Sequence, residues 1–178
     1  MNFALNVTLV LVVSCAAFFD IKERRIPNLL IVVGLSGGIF IACLQSSAHV
    51  FSSTIGFFAG LFGLLLPFAF RWMGAGDVKL FATVGTLIGY TALPRVLFYS
   101  CIIAGVIALL ALATGYVKQM CFKSFWADCK FVFLTSFTGL PRSAALKPGA
   151  YSVPWGVAIG AGTIMAYYLD PSGTWAGF

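Results

Sequence analysis

The sequence predicts an all-α protein that crosses a membrane repeatedly, folded as a bundle of six transmembrane helices. Three observations carry that expectation. Hydrophobic residues make up 61% of the chain and charged residues only 9%, where soluble domains carry about a quarter charged. The mean hydropathy is +1.01. The few charges also divide the chain into uncharged stretches long enough to cross lipid. No long hydrophilic segment, internal repeat or low-complexity tract is present, so residues 1–178 read as one domain.

A helix needs ~20 apolar residues to cross about 30 Å of hydrocarbon, with roughly 17 as the short limit. Phe3 to Phe19 is the first span. Ile26 to Phe70 is long enough for two, and its polar interruption Gln45-Ser46-Ser47-Ala48-His49 predicts helices near Leu29 to Leu44 and Thr54 to Phe70. Leu80 to Pro94 is a short fourth span, Val96 to Val117 the fifth and Gly149 to Leu169 the sixth. Pro27 and Pro154 sit where spans two and six begin, a position at which the missing N–H costs nothing. Phe131 to Leu140 is apolar but about half a span, and reads as interfacial or packed against the bundle. Glycines four apart, Gly56 and Gly60, Gly85 and Gly89, Gly156 and Gly160, predict close helix crossings.

Loop charge sets the orientation. With the N-terminus outside, Lys22, Arg24, Arg25, Arg71, Lys79, Lys118, Lys123, Lys130, Arg142 and Lys147 all fall on the cytoplasmic side, and of the 11 basic residues only Arg95 falls outside. The net charge of +6 therefore marks loops beside anionic membrane lipid, not a nucleic-acid surface. No basic residue precedes the first apolar run, which argues against a signal peptide. The 5 cysteines include no C-x-x-C pair, so neither a zinc site nor a redox motif is indicated. Cys15 reads as a small helix-packing residue, and Cys121 and Cys129 share a cytoplasmic loop. His49 reads as an outer-loop residue. No cluster has metal-ligand spacing, and no cofactor is implied.

The chemistry rests on Asp20 and Asp77. Each stands where an apolar run meets a small basic cluster, and Gly74-Ala75-Gly76 precedes the second. Span one runs inward and ends at Asp20, while span four runs outward and begins at Asp77, so both carboxylates lie at one depth near the cytoplasmic boundary. Either alone reads better as the first polar residue of a solvated loop than as a catalytic group. As a pair, they have the layout of a membrane aspartyl protease. Facing carboxylates resist simultaneous ionisation and share one proton. The charged partner draws a proton from the attacking water, while the protonated one hydrogen-bonds the scissile carbonyl and then protonates the leaving amine. Gly74 and Gly76 would allow unusual backbone angles and close approach of an extended substrate strand.

These residues resemble a known family. Phe19-Asp20-Ile21-Lys22-Glu23-Arg24-Arg25-Ile26-Pro27-Asn28 is similar to the first aspartate motif of the type IV prepilin peptidases, an Asp followed by Ile-Pro-Asn. Gly74-Ala75-Gly76-Asp77-Val78-Lys79-Leu80 resembles their second, Gly-x-Gly-Asp-x-Lys-Leu. Val153-Pro154-Trp155-Gly156-Val157-Ala158-Ile159-Gly160 is similar to their proline-containing last span. The resemblance implies an inner-membrane aspartyl endopeptidase with Asp20 and Asp77 as its catalytic pair. It would remove the basic leader of prepilins and pseudopilins at the cytoplasmic face. Span one runs almost directly into Asp20, without the added cysteine-paired region of the larger members, so N-methyl transfer is not expected. The short form looks like the tight-adherence (Flp-type) or archaeal preflagellin peptidases.

Lys79 belongs to the second motif, where stabilising developing charge and snorkelling to the interface stand as equal readings. Glu23 and Asp128 are the candidate contacts for a basic leader, against the ordinary reading of solvated loop carboxylates. Pro154 is a supporting residue, and Asp170 lies on the wrong face. The groove between spans one and four is the natural substrate site. Two other function classes remain: a proton-coupled transporter using the aspartates as relays, and a noncatalytic subunit of a pilus or secretion assembly.

Overall fold

Helix follows helix along the whole of the computed structural model, which describes residues 3–23, 25–69, 73–113 and 154–169. The elements are α1 (Phe3–Glu23), α2 (Asn28–Gln45), α3 (Ser47–Gly63), α4 (Leu65–Ala69), α5 (Ala75–Ile88), α6 (Leu93–Ala113) and α7 (Trp155–Ile164), the last continuing as a π-helical turn over Met165–Leu169. No strand occurs among the described residues. Four segments are long and apolar enough to cross a membrane: α1, α2, α3 together with α4, and α6. The chain is a multi-pass, all-α membrane protein. The Phe131 to Leu140 stretch, Cys121, Cys129, Asp128, Asp170, Arg24, Arg71 and the basic residues from Lys118 to Lys147 lie outside the described residues.

Local chemistry sets the helix ends. Pro27 and Pro154 are the residues immediately before α2 and α7, at φ −61 and −71, as their fixed φ and absent N–H predict. The interruption expected over Gln45 to His49 shrinks to Ser46 alone. That residue is extended, at φ −175 and ψ 164, and its hydroxyl accepts the His49 N–H at 3.4 Å, so α3 starts at once. His49 thus belongs to the first turn of α3 and not to a loop. The third span breaks near its C-terminal end because Pro67 offers no N–H to the Gly63 carbonyl four residues back, and its ring crowds that carbonyl. The chain turns at Leu64 and resumes as α4. α5 stops at Gly89, whose φ of +79 is open to glycine at no steric cost. Pro94 therefore falls in the first turn of α6 instead of closing the fourth span.

α5 is the centre of the bundle. Val78 and every residue from Leu80 to Leu87 are buried, and the helix touches α1, α2, α3, α4, α6 and α7. Its 14 residues extend about 21 Å at 1.5 Å per residue, so it is walled in by protein along a length shorter than the hydrocarbon layer. The outer helices carry apolar side chains outward, such as Leu29, Val32, Phe40, Phe51 and Phe62, as a bundle set in lipid requires. Cys15 also lies on this outer surface. The packing role expected for it fails because α1 buries Leu5, Leu9, Val12, Val13, Ala16 and Asp20, a stripe at three- and four-residue spacing that Cys15 misses. Four of the buried hydroxyls are satisfied within their own helices. Thr83 donates to the Lys79 carbonyl at 2.9 Å, Thr86 to Ala82 at 3.0 Å, Ser100 to Val96 at 2.6 Å and Thr163 to Ile159 at 2.7 Å.

Glycines allow the helices to meet. At the α3–α5 crossing Gly56 and Gly85 face each other backbone to backbone. A Cβ on Gly56 would strike the Gly85 carbonyl oxygen and lie 2.8 Å from its carbon; one on Gly85 would lie 2.8 Å from the Gly56 carbonyl carbon. One turn on, a Cβ on Gly60 would stand 2.9 Å from the Ala82 Cα. Since the obstacles are backbone atoms, no rotamer change relieves them. Gly56→Ala and Gly85→Ala are expected to cost about 1–3 kcal/mol each, the usual penalty of overpacking, while Gly63→Ala, where a Cβ meets nothing within 4 Å, leaves stability near wild type. Thermal unfolding of the purified variants in one detergent checks the contrast.

Candidate active site

Asp20 ends the buried stripe of α1, and only 7% of its surface is exposed. A carboxylate there requires a donor, and α7 supplies one: the Val157 N–H donates to Asp20 Oδ2 at 3.2 Å. Pro154 precedes α7, so Val157 is its third residue, and the first intrahelical bond runs from the Ala158 N–H to the Pro154 carbonyl at 3.2 Å. The Val157 amide is thus one of the donors that a helix start leaves without an intrahelical acceptor. A side chain from α1, distant in sequence, fills that vacancy.

Asp77 is held from within its own turn. It is the third residue of α5, counted from Ala75, and its Oδ2 accepts the Gly74 N–H at 3.0 Å while its own N–H donates to the Gly74 carbonyl at 3.2 Å. This is the carboxylate half of a capping box, and glycine has no side chain to make the other half. α1, α5 and α7 are in mutual contact. The end of α1 and the starts of α5 and α7 therefore bring both carboxylates to one end of the bundle.

The segments around the two aspartates are joined at two further points. Lys79 Nζ donates to Asn28 Oδ1 at 3.1 Å, linking the starts of α5 and α2. Gly76 lies over Ile26, where a Cβ would sit 3.4 Å from the Ile26 Cβ, an ordinary contact. Gly74 has φ −79 and ψ 157, a conformation any residue adopts. The unusual backbone angles expected of the glycines before Asp77 are therefore not used, because the turn is an ordinary extended-to-helix entry. Glu23, also at this end, is exposed. Pro154 contributes by fixing the backbone entry into α7, at φ −71. Of the residues that contact Asp20, Gly156 was marked from the sequence as a helix-crossing glycine paired with Gly160, and both Gly156 and Val157 stood in the last-span motif; that they meet Asp20 was not foreseen, because nothing in the sequence says what the start of α7 faces.

A family model described as the type IV leader peptidase family matches residues 7–109. That segment holds both aspartates and the Asn28–Lys79 contact, and it ends before α7. Among curated proteins the chain is similar to a prepilin leader peptidase/N-methyltransferase of Bacillus subtilis (strain 168), at 27% identity over 165 residues, covering 88% of this chain and 52% of the relative. The chain thus spans about half the length of that relative. No solved structure matches.

The Asn28–Lys79 contact sits at an exposed position, so it has a modest expected coupling of roughly 0.5–1 kcal/mol. A double-mutant cycle of Asn28→Ala and Lys79→Met, read by thermal unfolding, checks it; additive effects would show that the bond contributes nothing to holding α5 against α2.

Proposed function

The chain belongs to the type IV leader peptidase family, and from that premise we propose that it is an aspartyl endopeptidase removing the N-terminal leader of prepilin-like proteins, of the Flp type, at the cytoplasmic face of the inner membrane. The observation that carries this reading is the placement of Asp20 and Asp77 at one end of the bundle, on helices in mutual contact and each held by a backbone amide. The matched family and the similar peptidase of Bacillus subtilis support the same activity class.

The reaction follows from two carboxylates that hold one proton between them. The ionised carboxylate takes a proton from water as the water oxygen bonds to the scissile carbonyl carbon. The protonated carboxyl donates a hydrogen bond to the carbonyl oxygen, where negative charge develops. Collapse of the tetrahedral species breaks the C–N bond as a proton passes to the leaving nitrogen. Asp20, with its hydrogen bond to a backbone amide of another helix, and Asp77, braced by its own turn, are pre-positioned for this exchange.

The substrate class follows from where the dyad sits. A site at the end of the bundle suits a protein that lays an apolar helix along the outer surface and leaves a polar leader at the interface, with the cleft between α1 and α5 as its seat. Lys22, Arg25 and Lys79 at this end fit a cytoplasmic, lipid-adjacent location. Glu23 is the nearby carboxylate available to a basic leader. Gly74 and Gly76 leave the approach to Asp77 without side chains, and Lys79 stands by for developing negative charge. The reading covers peptide cleavage without N-methyl transfer.

Asp20→Asn and Asp77→Asn are each expected to abolish leader removal from a co-expressed Flp-type prepilin while leaving membrane insertion and thermal stability near wild type. Full processing by either folded variant would overturn the dyad. Gly74→Ala, whose Cβ would stand 3.3 Å from Asp77 Oδ2 at an exposed position, is expected to keep stability near wild type and lower kcat/KM at least about tenfold by obstructing the substrate strand; an unchanged kcat/KM would remove Gly74 from the substrate path.

A further inference from the structure

We infer that the first turn of α7 is a positioning element of the site, with Gly156 and the Val157 amide together setting the orientation of the Asp20 carboxylate. The inference rests on the dyad reading above and concerns a part of the chain that lies beyond the matched segment 7–109.

Two observations converge on it. The Val157 N–H donates to Asp20 Oδ2 at 3.2 Å, and this bond joins residues 137 apart in sequence. The residue before it, Gly156, lies directly on the aspartate: a Cβ there would be 2.8 Å from Asp20 Oδ2, 2.9 Å from its Cβ and 3.0 Å from its Cγ. Rotation about χ1 could carry Oδ2 and Cγ away from an added methyl group. It cannot move the Asp20 Cβ, which is bonded to the backbone of α1. A side chain at 156 therefore forces either the carboxylate off the amide or α7 away from α1. Both change where Asp20 points relative to Asp77.

Other glycines of α7 differ. A Cβ on Gly160 would meet the Val13 Cγ1 at 3.1 Å, a methyl group that can yield. A Cβ on Gly162 would lie 2.6 Å from the Ser100 backbone nitrogen, a severe clash with α6 and remote from either aspartate. Gly162 is thus a natural control, equally crowded but purely structural. The amide has its own probe as well. Val157→Pro removes the donor without adding bulk at 156, in the first turn of a helix where proline is tolerated.

The test uses the full chain in lipid nanodiscs with aspartate isotopically labelled, so that infrared difference spectra against Asp20→Asn isolate the Asp20 carboxyl band. Gly156→Ala and Val157→Pro are each expected to shift that band and to lower kcat about 100-fold, the scale of a 1 Å misplacement of a catalytic group, with KM within about twofold of wild type. Gly162→Ala is expected to lower the Tm yet keep the wild-type band and the wild-type kcat per folded molecule. An unshifted band in both Gly156→Ala and Val157→Pro would overturn the inference, as would the same shift in Gly162→Ala. The band is read without any substrate, so a wild-type chain that cleaves no prepilin would refute the peptidase reading while the spectra still decide whether α7 orients Asp20.

Discussion

Burial of α5 on all sides is the constraint on which the rest of the structure depends. In lipid, helices gain little by hiding apolar surface from one another, because the hydrocarbon around them is as apolar as a leucine. What draws them together is close contact, and contact of this kind needs small residues at the crossings. Gly56 and Gly60 of α3 against Gly85 and Ala82 of α5 supply it on one side, and Gly34 and Gly38 of α2 against Thr83, Thr86 and Leu87 supply it on another. With α5 clamped, its first turn cannot drift, and Asp77 is part of that first turn. The position of one carboxylate is thus set by glycines that meet α5 roughly one and a half to three turns further along.

The site is built economically from helix ends. An α-helix leaves its first amides without internal acceptors, and two such starts, those of α5 and α7, lie at the same end of the bundle as the last turn of α1. Asp77 bonds to the Gly74 amide in its own turn, and Asp20 to the Val157 amide across the bundle. Backbone donors hold both carboxylates. A backbone amide carries no net charge, so its hydrogen bond favours the ionised form of a carboxylate less strongly than a lysine or arginine beside it would. Lys79, the cation nearest Asp77 in sequence, donates to Asn28. There it serves the junction of α2 with α5, which bears on the equal choice between electrostatic and snorkelling roles left by its position in the motif.

The fold class and most helix positions were legible because hydropathy, charge and proline are strong signals at this composition. Pro27 and Pro154 marked two helix starts correctly. The errors came from weaker local chemistry. The polar run Gln45 to His49 looked like a loop, yet a single extended serine with a capping hydroxyl suffices to turn the chain. Cys15 looked like a packing residue because cysteine is small, but size does not reveal which face of a helix turns inward. In a soluble helix polar residues would mark the outer face. In α1 both faces are apolar, one toward lipid and one toward the bundle, so the buried stripe from Leu5 to Asp20 leaves no periodic trace.

By itself, then, the sequence determined that the chain crosses the membrane several times, roughly where it does so, and that Asp20 and Asp77 lie at the boundaries of apolar spans beside motifs of one peptidase family. Those features are local in the chain: runs of apolar residues, caps, and motifs a few residues long. Only the tertiary structure decided that α5 is the central helix, that Lys79 meets Asn28, and that the start of α7 rests on Asp20 so closely that residue 156 has no room for a side chain. Each of these is a contact between segments far apart in sequence, made on helix faces that lipid renders alike, and such contacts exist only once the helices have chosen their neighbours.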